Sequence, residues 1–215
     1  MYIKIQKPNK EKIKRTSPSV TAFIGALLTL IGGFFISYNY IQAKTVVAYD
    51  YMAKAYYDGN DVIIIPEGEE SNDDGLPEEV TNDYIGYLTI PKINLVKGFL
   101  DNRSEENNVD KNLLVVNGSD YPDKDKGNFI IAGHSGTGWN SFFNDLYKLD
   151  INDTAIVEYK EKKYTYTIVN IYTQPKIGKI AIYRNYDKNT LTLITCTNND
   201  SKTQTIYIAE LTKKE

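Results

Sequence analysis

The sequence predicts a mainly β protein, a closed or nearly closed barrel of about seven or eight strands with short helices, carried behind one N-terminal transmembrane helix. Three observations predict it. Short runs rich in Val, Ile, Thr and Tyr recur between turn residues from 84 to 211, as expected of strands that pack on one another. An uncharged apolar stretch long enough to cross a bilayer precedes them. The segment between has one short apolar run, VIII (62–65), followed by a stretch rich in acid, Gly and Pro, and reads as a solvated spacer that cannot bury a core.

Residues 1–19 form a basic tail in which Lys4, Lys7, Lys10, Lys12, Lys14 and Arg15 stand against Glu11 alone. VTAFIGALLTLIGGFFISYNYI (20–41) follows as the anchor. Gly25, Gly32 and Gly33 would weaken this helix in water but are tolerated in a membrane. The basic flank implies a single-pass protein of the cell membrane with a cytoplasmic N-terminus, placing everything after about Lys44 outside the cell. A cleaved signal peptide is the alternative: Ala43 offers a small residue for cleavage, whereas Ser37, Tyr38 and Asn39 do not make a good site. Residues 42–82, including PEGEESNDDGLPEE (66–79), read as an acidic extracellular spacer, either a plain tether or a mobile cover over an active site.

The domain spans 83–215. YIGYLTIP (84–91), KNLLVVNG (111–118), GNFIIAGH (127–134), TAIVEYK (154–160), KYTYTIVNIYT (163–173), TLTLITC (190–196) and TQTIYIAEL (203–211) each read as a strand. KEKK (160–163) is a hairpin turn. GWNSFFNDLYKLD (138–150) is the one helical candidate, with Phe142, Phe143, Leu146 and Leu149 spaced to share a face. A net charge of −3 without a clustered basic face gives no reason to expect a nucleic-acid partner. The chain has no internal repeat and no glycine-rich phosphate loop.

The chain holds one cysteine and one histidine. Cys196 ends an apolar strand and is followed by the turn residues TNNDSK; His134 ends GNFIIAG and precedes the flexible SGTG. Rigid scaffolds present reactive groups at such strand ends. Cys196 is then either a small buried hydrophobe or a nucleophile. A neighbouring imidazolium favours the thiolate, and imidazole can give a proton to a leaving amine, so the pair describes an acyl-transfer site. A redox role lacks a resolving thiol.

These residues resemble the sortases, membrane-anchored cysteine transpeptidases of Gram-positive bacteria. TLITC (192–196) matches the family's TLxTC signature, and IIAGH (130–134) matches its strand ending in the catalytic histidine. YIGYLTIPKINL (84–95) and FFNDLYKLDINDTAIV (142–157) are similar to the first barrel strand and to the segment after the histidine. The resemblance implies a sortase-type barrel in which Cys196 attacks a threonine carbonyl of an LPxTG-like sorting signal on a secreted protein and His134 protonates the departing amine. The acyl group would pass to a peptidoglycan precursor or another amine acceptor, in some members a pilin lysine. No cofactor is implied.

The family's third residue, an arginine after the cysteine, is matched here by Gln204, and no arginine follows Cys196. Either the Gln204 amide donates a weaker, neutral hydrogen bond to the substrate oxygen, or Gln204 is an ordinary strand residue and the barrel is a weak or silent binder of sorting signals. Thr195, Arg184 and Arg103 are further candidates for substrate or oxyanion positioning, with backbone amides near Thr197. Some family members bind calcium, and Glu105, Glu106, Asp110, Asp120, Asp123 and Asp125 are the acidic residues for a Ca2+ site, though solvated loop charge is the commoner explanation. The spacer has no Asp-Pro-aromatic lid motif of the kind that pilus-building members carry.

Overall fold

The computed structural model describes residues 18–59 and 84–215. The basic residues 1–17 and most of the acidic spacer, 60–83, lie outside them. The chain divides into two units, Met1–Tyr40 and Ile41–Glu215.

Helix α1 runs Pro18–Tyr57. Its first half leaves Phe23, Leu30 and Ile36 70, 73 and 75% exposed, an apolar surface that no other described element covers. It is long and apolar enough to cross a membrane. The sequence reading begins a spacer at residue 42, but the helix continues through 42–57. That stretch is rich in Ala, Tyr and Lys and holds no Gly or Pro, so nothing in it breaks a helix. The break comes at Gly59, whose φ of +74° is open to glycine at little cost.

Eight strands follow: β1 Gly86–Ile90, β2 Leu95–Phe99, β3 Leu114–Val115, β4 Asn128–Ala132, β5 Thr154–Tyr159, β6 Lys162–Pro175, β7 Thr190–Cys196 and β8 Thr203–Lys214. They form one sheet in the order β2-β1-β5-β6-β8-β7-β4-β3. Every pairing is antiparallel except β4 with β7. The two edges approach one another through a bridge between Phe99 and Leu113 and a hydrogen bond from Asn112 Nδ2 to the Gly98 carbonyl, 3.1 Å. The barrel is therefore nearly closed, which leaves little free strand edge.

The KEKK hairpin forms as expected, with Lys160 and Glu161 both at positive φ, 51° and 60°, the conformation of a tight turn whose twist matches its strands. Three expectations need correction. β2 was missed because Lys97 and Gly98 interrupt its apolar pattern. The 111–118 strand shrinks to two residues. The expected helix at 138–150 is a series of turns with a single 3-10 turn at Leu146–Lys148. Its apolar spacing is real, since Phe143, Leu146 and Leu149 are buried. Its backbone, however, bonds elsewhere: the Phe143 N–H donates to the His134 carbonyl at 2.9 Å.

The barrel interior is filled by alternate residues of the strands, among them Leu88, Phe129, Ile131, Val157, Tyr166, Leu191, Leu193 and Tyr207. A second, smaller cluster of Ile194, Ile206 and Ile208 lies apart from it, with Ile130, Ala132, Tyr172 and Ile182 packed against it. Strand alternation puts this second cluster on the outer face.

The interior tyrosines make the domain sensitive to alkali. Burial pushes the Tyr207 phenol up to about 12, and burial raises Tyr166 further, above an unfolded value of about 10. Phenols raised in the folded state contribute stability that is fully present below pH about 10 and is lost as pH climbs toward about 12. In a phenolate absorbance titration, Tyr166 and Tyr207 will ionise in one cooperative step together with loss of the far-ultraviolet circular dichroism. Gradual ionisation of every phenol in a folded domain would contradict this.

Candidate active site

The parallel register of β4 with β7 runs from Asn128 opposite Thr190 to Ala132 opposite Ile194. Three further bonds carry it past the ends of both strands. The Gly133 N–H donates to the Ile194 carbonyl (3.1 Å), the Thr195 hydroxyl to the Gly133 carbonyl (2.9 Å) and the Ser135 hydroxyl to the Cys196 carbonyl (2.9 Å). His134 and Cys196 thus emerge side by side on neighbouring strands, which are spaced about 4.8 Å apart. Gly133 is what allows this end to pack: a Cβ there would meet Phe143 at 2.8 Å and Leu113 at 2.9 Å.

The row continues on the other side. Cys196 is opposite Gln204 on β8, and Gln204 is opposite Gln174 on β6. Residues paired in register share a face, so His134, Cys196, Gln204 and Gln174 form one line across four strands. The line lies on the outer face, just beyond Ala132, Ile194, Ile206 and Tyr172 of the small apolar cluster. The connection from β6 to β7 is clasped beside it by three bonds: Tyr172 OH donates to the Ala181 carbonyl (2.7 Å) and accepts from the Tyr183 N–H (3.0 Å), and the Ala181 N–H donates to Gln174 Oε1 (3.1 Å).

Thiol and imidazole are not hydrogen-bonded to each other. His134 Nε2 lies 2.9 Å from Asp110 Oδ1, and Asp110 is itself held by Asn140 Nδ2 on its backbone carbonyl (2.9 Å). Lys176 Nζ donates to Cys196 Sγ at 2.9 Å. Catalytic bonds are often loose in an unliganded site and tighten with substrate. The sequence showed neither partner, because each comes from a segment whose position depends on the closed sheet; Asp110 stood out only as loop charge.

Gln204 lies in the row opposite Cys196, and its amide makes no side-chain hydrogen bond to a described residue. Beside it, Gln174 Nε2 is buried without a partner. Two other candidates are engaged elsewhere. Thr195 is buried, its hydroxyl spent on the Gly133 carbonyl, so it fastens β7 to the histidine strand from the inner face. Arg184 bonds the Lys126 carbonyl (3.2 Å) and Thr190 Oγ1 (3.4 Å) and stacks on Tyr186. Thr190 begins the strand that Cys196 ends, about 20 Å away at strand rise, so Arg184 cannot serve the thiol. Arg103 pairs with Asp101.

The acidic loops do not converge. Glu106 pairs with Lys111, Asp110 with His134, Asp120 with Lys124 and Asp123 with Lys160. Among the described residues no group of three or more His, Cys, Asp or Glu could hold a metal ion. A wide concavity lined by Lys54, Asp58, Glu158 and Lys163 opens beside the β5–β6 hairpin. It contains neither thiol nor imidazole, and the chemistry points to the β4–β7 end instead.

A family model described as the sortase domain matches residues 88–212, more than half of the 215-residue chain, and the chain belongs to the sortase family. It is similar to sortase A of Bacillus anthracis, 24% identical over 125 residues that span 58% of this chain and 58% of that protein. Among solved structures it is similar to sortase A of Listeria monocytogenes, with a TM-score of 0.52 at 20% identity over 62% of this chain and 90% of that one. It also matches sortase D5 of Clostridium perfringens, described as a transpeptidase (TM-score 0.52, 22% identity, 82% and 99% covered), and sortase C1 of Streptococcus agalactiae (0.55, 18%, 80% and 90%). At these identities the likeness is one of fold.

Proposed function

We propose that this chain is a membrane-anchored cysteine transpeptidase acting on an LPxTG-like sorting signal of secreted proteins. The observation that carries the reading is the line of Cys196 and His134 on neighbouring parallel strands, beside an apolar outer-face cluster that suits an aliphatic side chain of the peptide. The thiolate of Cys196 attacks the scissile carbonyl carbon and pushes an electron pair onto its oxygen. As the oxyanion collapses, the C–N bond breaks, and the imidazolium of His134 gives its proton to the departing amine. A thioester remains. An incoming amine, from a peptidoglycan precursor or another acceptor, attacks it, loses a proton to His134, and releases the thiolate. The thioester conserves the energy of the peptide bond, so the reaction needs no cofactor.

In this reading residues 1–19 are cytoplasmic, 20–41 cross the membrane, and the barrel is extracellular. The sortase family membership and the apolar helix support it; the lysine-rich start is the argument for orientation.

The test is mass spectrometry of the full chain in detergent with LPxTG-like peptides, with and without an amine acceptor. The expected product with acceptor is the N-terminal peptide fragment joined to the amine. Hydrolysis alone in the presence of acceptor would reduce the reading to a peptidase, and an unchanged peptide would overturn it.

A further inference from the structure

Lys176 follows the last residue of β6, Pro175, and its position is set by the sheet. Its N–H donates to the Lys202 carbonyl at 2.9 Å, and Pro175 is paired with Thr203 on β8. Alternation along the chain puts its side chain on the same face as Gln174, Gln204 and Cys196. From there the lysine stem reaches diagonally over β8 and brings Nζ to 2.9 Å from Cys196 Sγ.

We propose that Lys176 is a catalytic residue of this chain, the cation that holds Cys196 as a charged nucleophile and that Gln204 cannot supply. The proposal rests on the transpeptidase reading above. Gln204 carries only a neutral amide in the row, and neither described arginine reaches the site: Arg184 is bound at the far end of β7 and Arg103 to Asp101. A lysine ammonium is a compact point charge with three donors, so one N–H can hold the sulfur while another turns to the substrate oxygen. As the thiolate attacks, its negative charge moves from sulfur to that oxygen, and the ammonium beside both remains protonated throughout. Collapse of the oxyanion expels the amine with the proton from His134. When the acceptor amine later displaces the thiolate, the charge returns to the sulfur beside the same ammonium.

The charged groups around the thiol come from several elements. Asp200, in the turn from β7 to β8, faces Lys176 and has its carboxyl drawn below the usual range chiefly by the Thr203 hydroxyl, with a smaller pull from Lys176. His134 and its partner Asp110 lie on the β4 side. Lys202 shares only a backbone bond with Lys176. Among the described residues, Lys176 is the one cation whose side chain bonds the sulfur.

The chain has a single cysteine, so alkylation by iodoacetamide reports this thiol alone. The experiment compares wild type, Lys176→Met, Lys176→Arg and Cys196→Ala as full chains in detergent, following alkylation from pH 5.5 to 9.5 and steady-state transpeptidation. Lys176→Met should slow alkylation below pH 7 by about 10-fold, with the two rates converging at the alkaline end where thiols ionise unaided. Its kcat should fall about 10- to 100-fold with KM within about twofold, and Lys176→Arg should restore both. An alkylation profile for Lys176→Met that superimposes on wild type at every pH would overturn the proposal, as would a loss of activity that arginine does not rescue. If wild type and Cys196→Ala prove equally inactive toward peptide, the transpeptidase reading has failed, and the alkylation profile still decides whether Lys176 charges the sulfur.

Discussion

Replacing Cys196 by Ala will, on the proposed thioester mechanism, lower transpeptidation by at least about three orders of magnitude, because no thioester can form and the sequence holds no second thiol. The loss will be chemical. Cys196 is only partly buried, and removing one sulfur from a half-exposed strand end should cost under about 1 kcal/mol. Circular dichroism of the variant should therefore match wild type, and peptide should still bind while remaining intact. His134→Ala should fall in the same range, since each lesion disables the same proton-coupled step and the two are expected to be far from additive. Turnover by Cys196→Ala within tenfold of wild type would rule out the thioester path.

The second large effect lies far from that chemistry. Lys97 on β2 and Asp50 on α1, both in the unit Ile41–Glu215, form an ion pair in which each side chain is only 4% exposed. Nζ meets both carboxylate oxygens at 2.9 Å and sits 4.4 Å above the Phe142 ring. Burial draws the Lys97 ammonium below the usual lysine range, and Asp50 pulls it back. The Tyr84 hydroxyl bonds both groups, donating to Asp50 at 3.4 Å and accepting from Lys97 at 3.3 Å, but removing either ionic partner still strands the other's charge in a buried site, which costs about 3–5 kcal/mol. Lys97→Ala and Asp50→Ala should each lower the urea midpoint, read from Trp139 fluorescence in mild detergent, by that equivalent. The joint change Lys97→Met with Asp50→Leu should recover most of the loss, because no charge is then left buried. Single variants within about 1 kcal/mol of wild type would show that the pair carries little of the stability.

How much of this was legible in the sequence depends on the range of the interactions. Cys196 and His134 stood out because local pattern sufficed: an apolar strand, a reactive residue, then turn residues. β7 was read to its limits, Thr190–Cys196, for the same reason. The segment 138–150 misled because apolar spacing cannot show where a backbone sends its hydrogen bonds, and Phe143 sends its own to the histidine strand. The lower part of α1 was misread because polar and aromatic residues between an anchor and a domain look solvated until Asp50 and Lys54 find Lys97 and Glu158 across the fold. Arg184 was a candidate by chemistry alone; only the strand direction reveals that it serves the wrong end of β7. Lys176 carried no local signal, since one more lysine before a loop is ordinary until β8 lies between it and the thiol.

That dependence on β8 has a further consequence. A single strand, β8, stands between Lys176 and Cys196, paired with β6 on one side and with β7 on the other, so ammonium and sulfur meet only where both pairings are in register. A one-residue slip of β8 would turn Gln204 to the opposite face and shift Lys176 along the sheet, which makes the 2.9 Å contact a direct report on strand register.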